Sequence, residues 1–571
     1  MEKWMVAAKR ADFKEIGERF GIDQVTARII RNRDVIGEEA IEKYLHGSRK
    51  DFYSPWLLKD MEKAVAILQE KITNKNKIRI IGDYDIDGVM STYILLVSLR
   101  GLGADADMVI PNRIMDGYGI NEHLIEQAWE DKRDTIITCD NGIAAATQIQ
   151  KAKDLGMTVI VTDHHEVPFE ETENGRTEIL PPADAVVNPK QKDCSYPFPG
   201  LCGAAVAWKL IQAMEAKAGI PKEHSFRFLE FVAIATIGDV MDLQGENRIL
   251  VKAGLRALHK TQNLGLQELI RVQGIEAENV TAYHIGFVLG PCINASGRLD
   301  TAEHSLKLLC AKTREEAAKL AGDLKDLNES RKELTRQGEA KAIELVETSP
   351  LQNDKVLVVY LPDCHESLAG IIAGRLREHF HKPSFVLTRS EEGVKGSGRS
   401  IEAYSMYEEL CKCKELMTKF GGHPMAAGLS LAGEEMIEPF RRALNDNSTL
   451  TEEDFVEKVV IDVPMPITYI TKNLIRQLSL LEPFGKGNTK PLFAQKGLTV
   501  LNYRIFGKNR NVVKVQLADV GGYQMDGVYF GEGEAFAAYV DAHPTLSVAY
   551  YPSIDTWNGR DKLQINIQSY F

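Results

Sequence analysis

Three carboxylates stand within five residues in Gly82-Asp83-Tyr84-Asp85-Ile86-Asp87-Gly88. The segment follows the apolar run IRII (78–81), which has the composition of a buried strand, and precedes a helical pattern. Carboxylates this close repel one another unless they are solvated or neutralised by a cation. A calcium-binding helix–loop–helix is one alternative, because D-x-D-x-D-G matches the start of its loop. That loop needs a bidentate Glu at its twelfth position. Counting from Asp83, the position is Ile94, and a strand rather than a helix comes before. The blander alternative is a solvated acidic turn whose aspartates cap the next helix.

Three further groups fall at similar places. Asp140 follows TIITC, Asp163-His164-His165 follow MTVIVT, and Asp239 ends the apolar run VAIATIG. Each is expected at the end of a strand. Singly they could be turn or cap residues. Together, on neighbouring parallel strands, they would converge on one rim, where open α/β sheets gather their functional groups. Carboxylates with one or two imidazoles suit Mn²⁺ or Mg²⁺ better than a thiolate-preferring metal. Several in one place suit two cations about 4 Å apart, an arrangement for in-line phosphoryl displacement.

The elements that must position these groups alternate along the chain. IRII, TIIT (135–138), MTVIVT (157–162) and AVV (185–187) are expected strands, with amphipathic stretches at 89–99, 121–130 and 144–155 between them. This rhythm predicts a parallel sheet. Residues 1–60 form a helical lead-in, and 61–300 the first lobe. Residues 301–347, rich in Ala, Leu, Lys and Glu, predict a long helical connector. A second α/β unit spans 348–450, with VLVVY and SFVLT as strands around the helix 367–380. From 455 to 571 the pattern is strand-rich and suits a small β-barrel.

The net charge is −12 among 571 residues, which argues against a protein that coats nucleic acid non-specifically but leaves room for a local basic groove. The eight cysteines show no metal-finger spacing and predict reduced thiols in a cytoplasmic chain. Met1–Lys14 is charged throughout and lacks the apolar core of a secretion signal. In the last region Tyr503, Phe506, Tyr551 and Trp557 lie among Arg504, Lys508, Arg510, Lys514, Arg560 and Lys562. Such a mixture suits a single strand, whose bases stack while cations follow its phosphates. The alternative is that the aromatics are barrel core.

Taken with GDYDIDG, CDNG and TIGDVMDL, the Asp163-His164-His165 segment resembles the DHH phosphoesterase superfamily. GPCINASGRL (290–299), GSGRS (396–400), GGHPMAAG (421–428) and LEPFGKGNTKPLF (481–493) resemble its RecJ family, in order and spacing. The resemblance implies an α/β chain of two lobes, DHH and DHHA1, with a C-terminal OB-fold β-barrel. It implies a 5′→3′ exonuclease on single-stranded DNA that releases 5′-mononucleotides in recombination and repair. Asp85, Asp87, Asp140, His164 and Asp239 match metal-binding positions for two Mn²⁺ or Mg²⁺ ions, with Asp83 joining or supporting them. His165 would contact the scissile phosphate or assist water, and Asp163 would orient the histidines. Arg298, Ser397 and Arg399 would hold the nucleic-acid backbone, and Gly421, Gly422 and His423 would line the groove. Implied partners are a single-strand-binding protein and a RecQ-type helicase, with no membrane and a monomer as the default. Without the resemblance, GSGRS could be a hairpin turn and GGHPMAAG a helix start.

Two positions depart from the family pattern: Ile81, where a His is common, and Cys292, where an Arg is common. Two other functions share the resemblance. One is an oligoribonuclease-like or cyclic-dinucleotide phosphodiesterase, whose relatives generally lack the barrel. The other is a non-catalytic replication scaffold, against which the intact acidic cluster argues.

Overall fold

The structure is a computed structural model that describes residues 2–112, 119–172, 175–391, 393–557 and 560–571. The side chains of Trp557 and Arg560 lie outside the described residues.

The first lobe is built on five parallel strands. In spatial order they are Asp105–Val109, Lys77–Ile81, Thr135–Cys139, Thr158–Thr162 and Ala185–Val187. Both faces are covered, so the strands inside the edge strand Asp105–Val109 are mostly β-branched runs with little polar content. Ile78, Ile80, Ile137 and Ile160 point into one core, with the helices Met61–Thr73, Ile86–Gly101, Gly203–Lys217 and Leu229–Gly238. Ile81, Ile136, Val159 and Val161 point into the other, against Glu122–Glu130 and Ala146–Asp154. The chain runs from the second strand in space to the first, then returns to the third. This 2-1-3-4-5 order puts the switch point at the carboxyl ends of Lys77–Ile81 and Thr135–Cys139, where ligands bind such sheets.

The expected strand before Asp239 is a helix, Leu229–Gly238. Its sequence LEFVAIATIG is apolar on all sides, because almost the whole helix is buried in the lobe. An all-apolar run has no period that separates strand from helix.

The connector is broken. Helix Glu303–Cys310 precedes a 34-residue helix, Arg314–Glu347, about 50 Å long at 1.5 Å per residue. Thr313 caps the second helix by accepting from the Glu316 N–H, and the Glu316 carboxylate accepts from the Lys312 N–H. Ala317, Ala321 and Leu324 belong to the first lobe's core, whereas Ala342 and Val346 belong to the second's.

In the second lobe, strands Lys419–His423, Ala426–Leu431, Gly393–Arg399, Ser384–Ser390 and Leu357–Tyr360 make one sheet, in that order. Helix Glu366–Phe380 covers one face. GSGRS lies within and just after a strand rather than at a hairpin turn, and GGHPMAAG is a hairpin, not a helix start.

At the C-terminal end, strands Phe493–Phe506, Val512–Ala518, Gln524–Phe530, Arg560–Tyr570 and Leu546–Trp557 close into a barrel, because the first and last also pair. The helical lead-in includes a strand, Lys3–Val6, paired in parallel with Lys458–Ile461. Its helices Phe13–Phe20, Gln24–Asn32 and Glu38–His46 share the barrel's core. Arg33 holds Asp462 with two hydrogen bonds of 2.7 and 3.0 Å. The buried Arg248 of the first lobe donates to the carbonyls of Tyr44, Leu480 and Leu481, fastening lobe, lead-in and barrel together.

Candidate metal centre and active site

Asp83, Asp85, Asp87, Asp140, His164, His165 and Asp239 meet at the switch point. Their ligand atoms form three overlapping groups: Asp83, Asp85 and Asp140; Asp140, His164 and His165; and Asp87, His164 and Asp239. Nε2 of His164 lies 3.1 Å from Asp140 Oδ1 and 3.6 Å from both Asp87 Oδ2 and Asp239 Oδ2. The groups thus form a chain, joined through Asp140 and His164.

Each side chain is held by local geometry. Asp85 caps helix Ile86–Gly101 with Oδ1, accepting from the N–H groups of Asp87 and Gly88. The capping alternative is therefore also realised, and it orients the second oxygen. Asp87 is fully buried, and its two oxygens accept from Gly203 N–H at 2.6 Å and Ala204 N–H at 2.7 Å. These N–H groups open helix Gly203–Lys217, whose positive end favours an anion. Asp140 has φ +62°, a backbone region uncommon outside glycine but one that Asp tolerates better than most residues. Next to it, Asn141 Nδ2 donates to the carbonyls of Ile81, Gly82 and Cys139, joining the two strand ends. Asp163 accepts from the N–H groups of Ile143, His164 and His165, and its Oδ1 is 2.7 Å from His165 Nδ1.

The protonation pattern follows. Burial, then Asp85, pushes the Asp87 carboxyl up to about 6. Burial, then Asp87 and Asp85, pushes Asp239 to about 8. Burial and four neighbouring aspartates raise Asp140 well above the usual carboxylate range. Burial and the charge of His165 bring His164 down to about 3, so its ring is neutral and able to ligate. Burial opposes charge on Asp163 and on His165, but their mutual bond and charges outweigh it. Asp163 is held at about 2 and His165 at about 9. Although buried and 3.1 Å apart, His164 Nε2 and Asp140 Oδ1 make no hydrogen bond with each other or with any other described residue. Mutually repelling carboxylates around two such atoms fit divalent cations that prefer oxygen with some imidazole.

A cleft of about 410 Å³ lies between Tyr84 of the metal loop and the second lobe, which lines it with Glu366, Lys395, Ser397, Lys419 and Phe420 among others. Along Gly393–Arg399 the burial alternates, so Lys395, Ser397 and Arg399 share the half-exposed face. Arg399 Nη1 donates to the Gly398 carbonyl, and its guanidinium lies against Gly370 of helix Glu366–Phe380. His423 is exposed, and burial, Arg399 and Lys486 lower its pKa. Gly421 and Gly422 leave the strand before it bare. Arg298 extends from helix Gly290–Leu299 to the second lobe, where Nη1 donates to the Ser367 carbonyl at 2.8 Å.

Neither departure from the family pattern touches the rim chemically. Ile81 is fully buried in the sheet. Cys292 is buried, with the amides of Gln273 and Asn328 donating to its sulfur. On the barrel, Tyr551 is core, with Lys490 over its ring, whereas Phe506 is exposed and Tyr503 donates to Asp541. Sequence reasoning missed four supporting residues: Asn141, Asn188, Gly203 and Asn294. Asn188 Nδ2 donates to the His165 carbonyl. A methyl on Gly203 would stand 2.7 Å from Asp140 Cβ.

Three family models match the chain: the DHH family N-terminal domain at 77–236, the DHHA1 domain at 353–448 and the RecJ OB domain at 461–569. The single-stranded-DNA-specific exonuclease RecJ of Bacillus subtilis is 36% identical over 99% of this chain and 70% of its own. The protein of that name from Escherichia coli is 33% identical over 95% of each. The chain belongs to the RecJ family. Among solved structures, RecJ from Thermus thermophilus in complex with Mn²⁺ has a TM-score of 0.84 at 27% identity, covering 100% of this chain and 79% of that one. The same protein with Mg²⁺ has a TM-score of 0.78 at 26% identity, covering 100% and 78%. The RecJ fold of two lobes and a barrel therefore accounts for the whole chain described above.

Proposed function

We propose that this chain is a metal-dependent exonuclease that hydrolyses single-stranded DNA from its 5′ end, releasing 5′-mononucleotides in recombination and repair. The observation that carries this reading is the continuous series of ligand groups at the switch point, linked through Asp140 and His164. Support also comes from the names of the relatives and from the Mn²⁺ and Mg²⁺ held by the Thermus protein.

In this reading Asp85, Asp87, Asp140, His164 and Asp239 hold the cations, and Asp83 completes the end near Asp85 and Asp140. When bound, Mn²⁺ or Mg²⁺ supplies Lewis acidity that stabilises charge on phosphoryl oxygens. Asp163 fixes the His165 ring through Nδ1, and its charge favours the protonated ring. His165 then donates to a non-bridging oxygen of the scissile phosphate. Across the cleft, Arg399 and Ser397 bind the strand's phosphates, with Arg298 at the seam between the lobes. The bare backbone of Gly421 and Gly422 lets the strand approach closely, beside His423. A single strand in a cell is made by unwinding and covered by binding proteins. A RecQ-type helicase and a single-strand-binding protein are thus the partners this substrate calls for. The chain acts as a monomer in the cytoplasm, where that substrate arises. No helix among the described residues is long and apolar enough to cross a membrane.

The test is a single-stranded oligonucleotide labelled at one end or the other, incubated with Mn²⁺ or with EDTA. We expect mononucleotide from the 5′ label first, and none with EDTA. Release from the 3′ label first overturns the polarity. Cleavage of only very short oligomers moves the chain to the oligoribonuclease-like class, and binding without cleavage moves it to the scaffold class.

A further inference from the structure

The loop after Lys77–Ile81 must turn into helix Ile86–Gly101 while three carboxylates face one rim. The first N–H groups of any helix lack intrahelical partners and bond whatever acceptor is near. Here Asp85 Oδ1 already takes the N–H groups of Asp87 and Gly88, at 2.9 and 3.0 Å. The N–H of Ile86 goes elsewhere: it donates to Asn294 Oδ1 at 2.8 Å. Asn294 lies on helix Gly290–Leu299, far along the chain. One turn further on, Gly297 packs so closely that a methyl would stand 2.2 Å from the Tyr84 carbonyl oxygen. One helix therefore grips the backbone on both sides of Asp85. The next residue, Arg298, bonds the Ser367 carbonyl of the second lobe, so the grip is anchored on both sides of the cleft.

We propose that Asn294 is a positioning residue for the metal loop, setting the orientation of the Asp85 and Asp87 carboxylates. Deprived of Asn294, the Ile86 N–H competes with its neighbours for the adjacent Asp85 carboxylate and draws it from the rim. The side chain touches neither substrate nor metal and acts through the loop backbone. The inference rests on the metal-centre reading.

The test is calorimetric titration of the chelator-treated full chain with Mn²⁺ alone, alongside circular dichroism and the Mn²⁺ dependence of activity. Asn294→Ala is expected to weaken Mn²⁺ binding roughly tenfold or more, as loss of a ligand-supporting group does. The Mn²⁺ needed for half-maximal activity rises with it, while kcat at saturating Mn²⁺ stays near wild type. Asn294→Asp keeps an oxygen for the Ile86 N–H and is expected to restore most of the affinity. Gly297→Ala, which leaves Asn294 in place but pushes on Tyr84, is expected to weaken Mn²⁺ binding as well and serves if Asn294→Ala does not fold. Folded variants that bind Mn²⁺ as tightly as wild type overturn the proposal, including the case in which only the melting temperature falls. Failure of the underlying reading looks different, because wild type itself then takes up no Mn²⁺.

Discussion

At the rim of the first lobe, the groups are buried or half-buried carboxylates and imidazoles, most of them held by backbone N–H groups or by one another. On the second, they are half-exposed Lys395, Ser397 and Arg399 on one face of a strand, beside the bare strand of Gly421 and Gly422. The first surface concentrates negative charge that burial makes costly, and raised carboxyl pKa values record that cost. The second presents Arg399, and Lys395 paired with Glu366, where solvent reaches them. In the proposed reading the difference separates two tasks: one side would hold cations, and the other would hold the phosphates of the strand. Substitutions should therefore act through chemistry on the first side and through binding on the second.

The largest effect is expected from Asp140→Ala, which breaks the link between the ligand groups. Removing several kcal/mol of charge stabilisation lowers kcat about a thousandfold or more, with little change in the affinity for single-stranded DNA. Steady-state kinetics with a separate binding assay check the split. Gly203→Ala comes next, because its methyl collides with the Asp140 carboxylate. We expect a loss of roughly a hundredfold in kcat and weaker Mn²⁺ binding, within the range for groups that support a ligand. Gly421→Ala is its counterpart across the cleft. Among the described residues nothing lies within 4 Å of its added methyl, so the melting temperature should stay as in wild type. Arg399→Ala should raise KM roughly tenfold and leave kcat nearly unchanged. It should also lower the salt dependence of binding by about one charge, which a salt titration reads directly.

The smallest effect concerns stability and pH. Asp239, near 8, and His165, near 9, have folded pKa values above their unfolded ones. The stability such groups contribute is present below the unfolded value and is lost as pH rises through the folded value. Asp87, near 6, has lost most of its share by pH 6.5, and His164, near 3, contributes no change above that pH. The chelated protein should therefore melt several degrees lower at pH 9 than at pH 6.5. Mn²⁺ should flatten or reverse the trend, since cations compete with protons for these ligands. Scanning calorimetry with and without the metal decides it.

Much of this was legible in the sequence, for physical reasons. Four of the sheet's strands are short apolar runs bounded by acids and turns. The ligand motifs follow three of them, because a parallel sheet gathers its chemistry at one edge. Asp239 stands at the expected rim for a different reason, since the all-apolar run before it is a buried helix and not a strand. Asn294 lies inside a recognisable motif, but its partner, the Ile86 N–H, is brought to it only by the packing of lobe helices. Gly203 gives no signal at all, because what demands a glycine there is the Asp140 side chain arriving from a distant strand. The lead-in's union with the barrel is equally invisible, since it depends on a core assembled from the two ends of the chain.

The most direct test of the central claim is calorimetric titration of the chelated full chain with Mn²⁺, wild type against Asp140→Asn, which removes the charge but keeps the shape. Two ions per chain in wild type, with loss or severe weakening of at least one in the variant, is the predicted result. Equal uptake by both proteins, or no uptake by wild type, would contradict the placement of the metal centre at this rim.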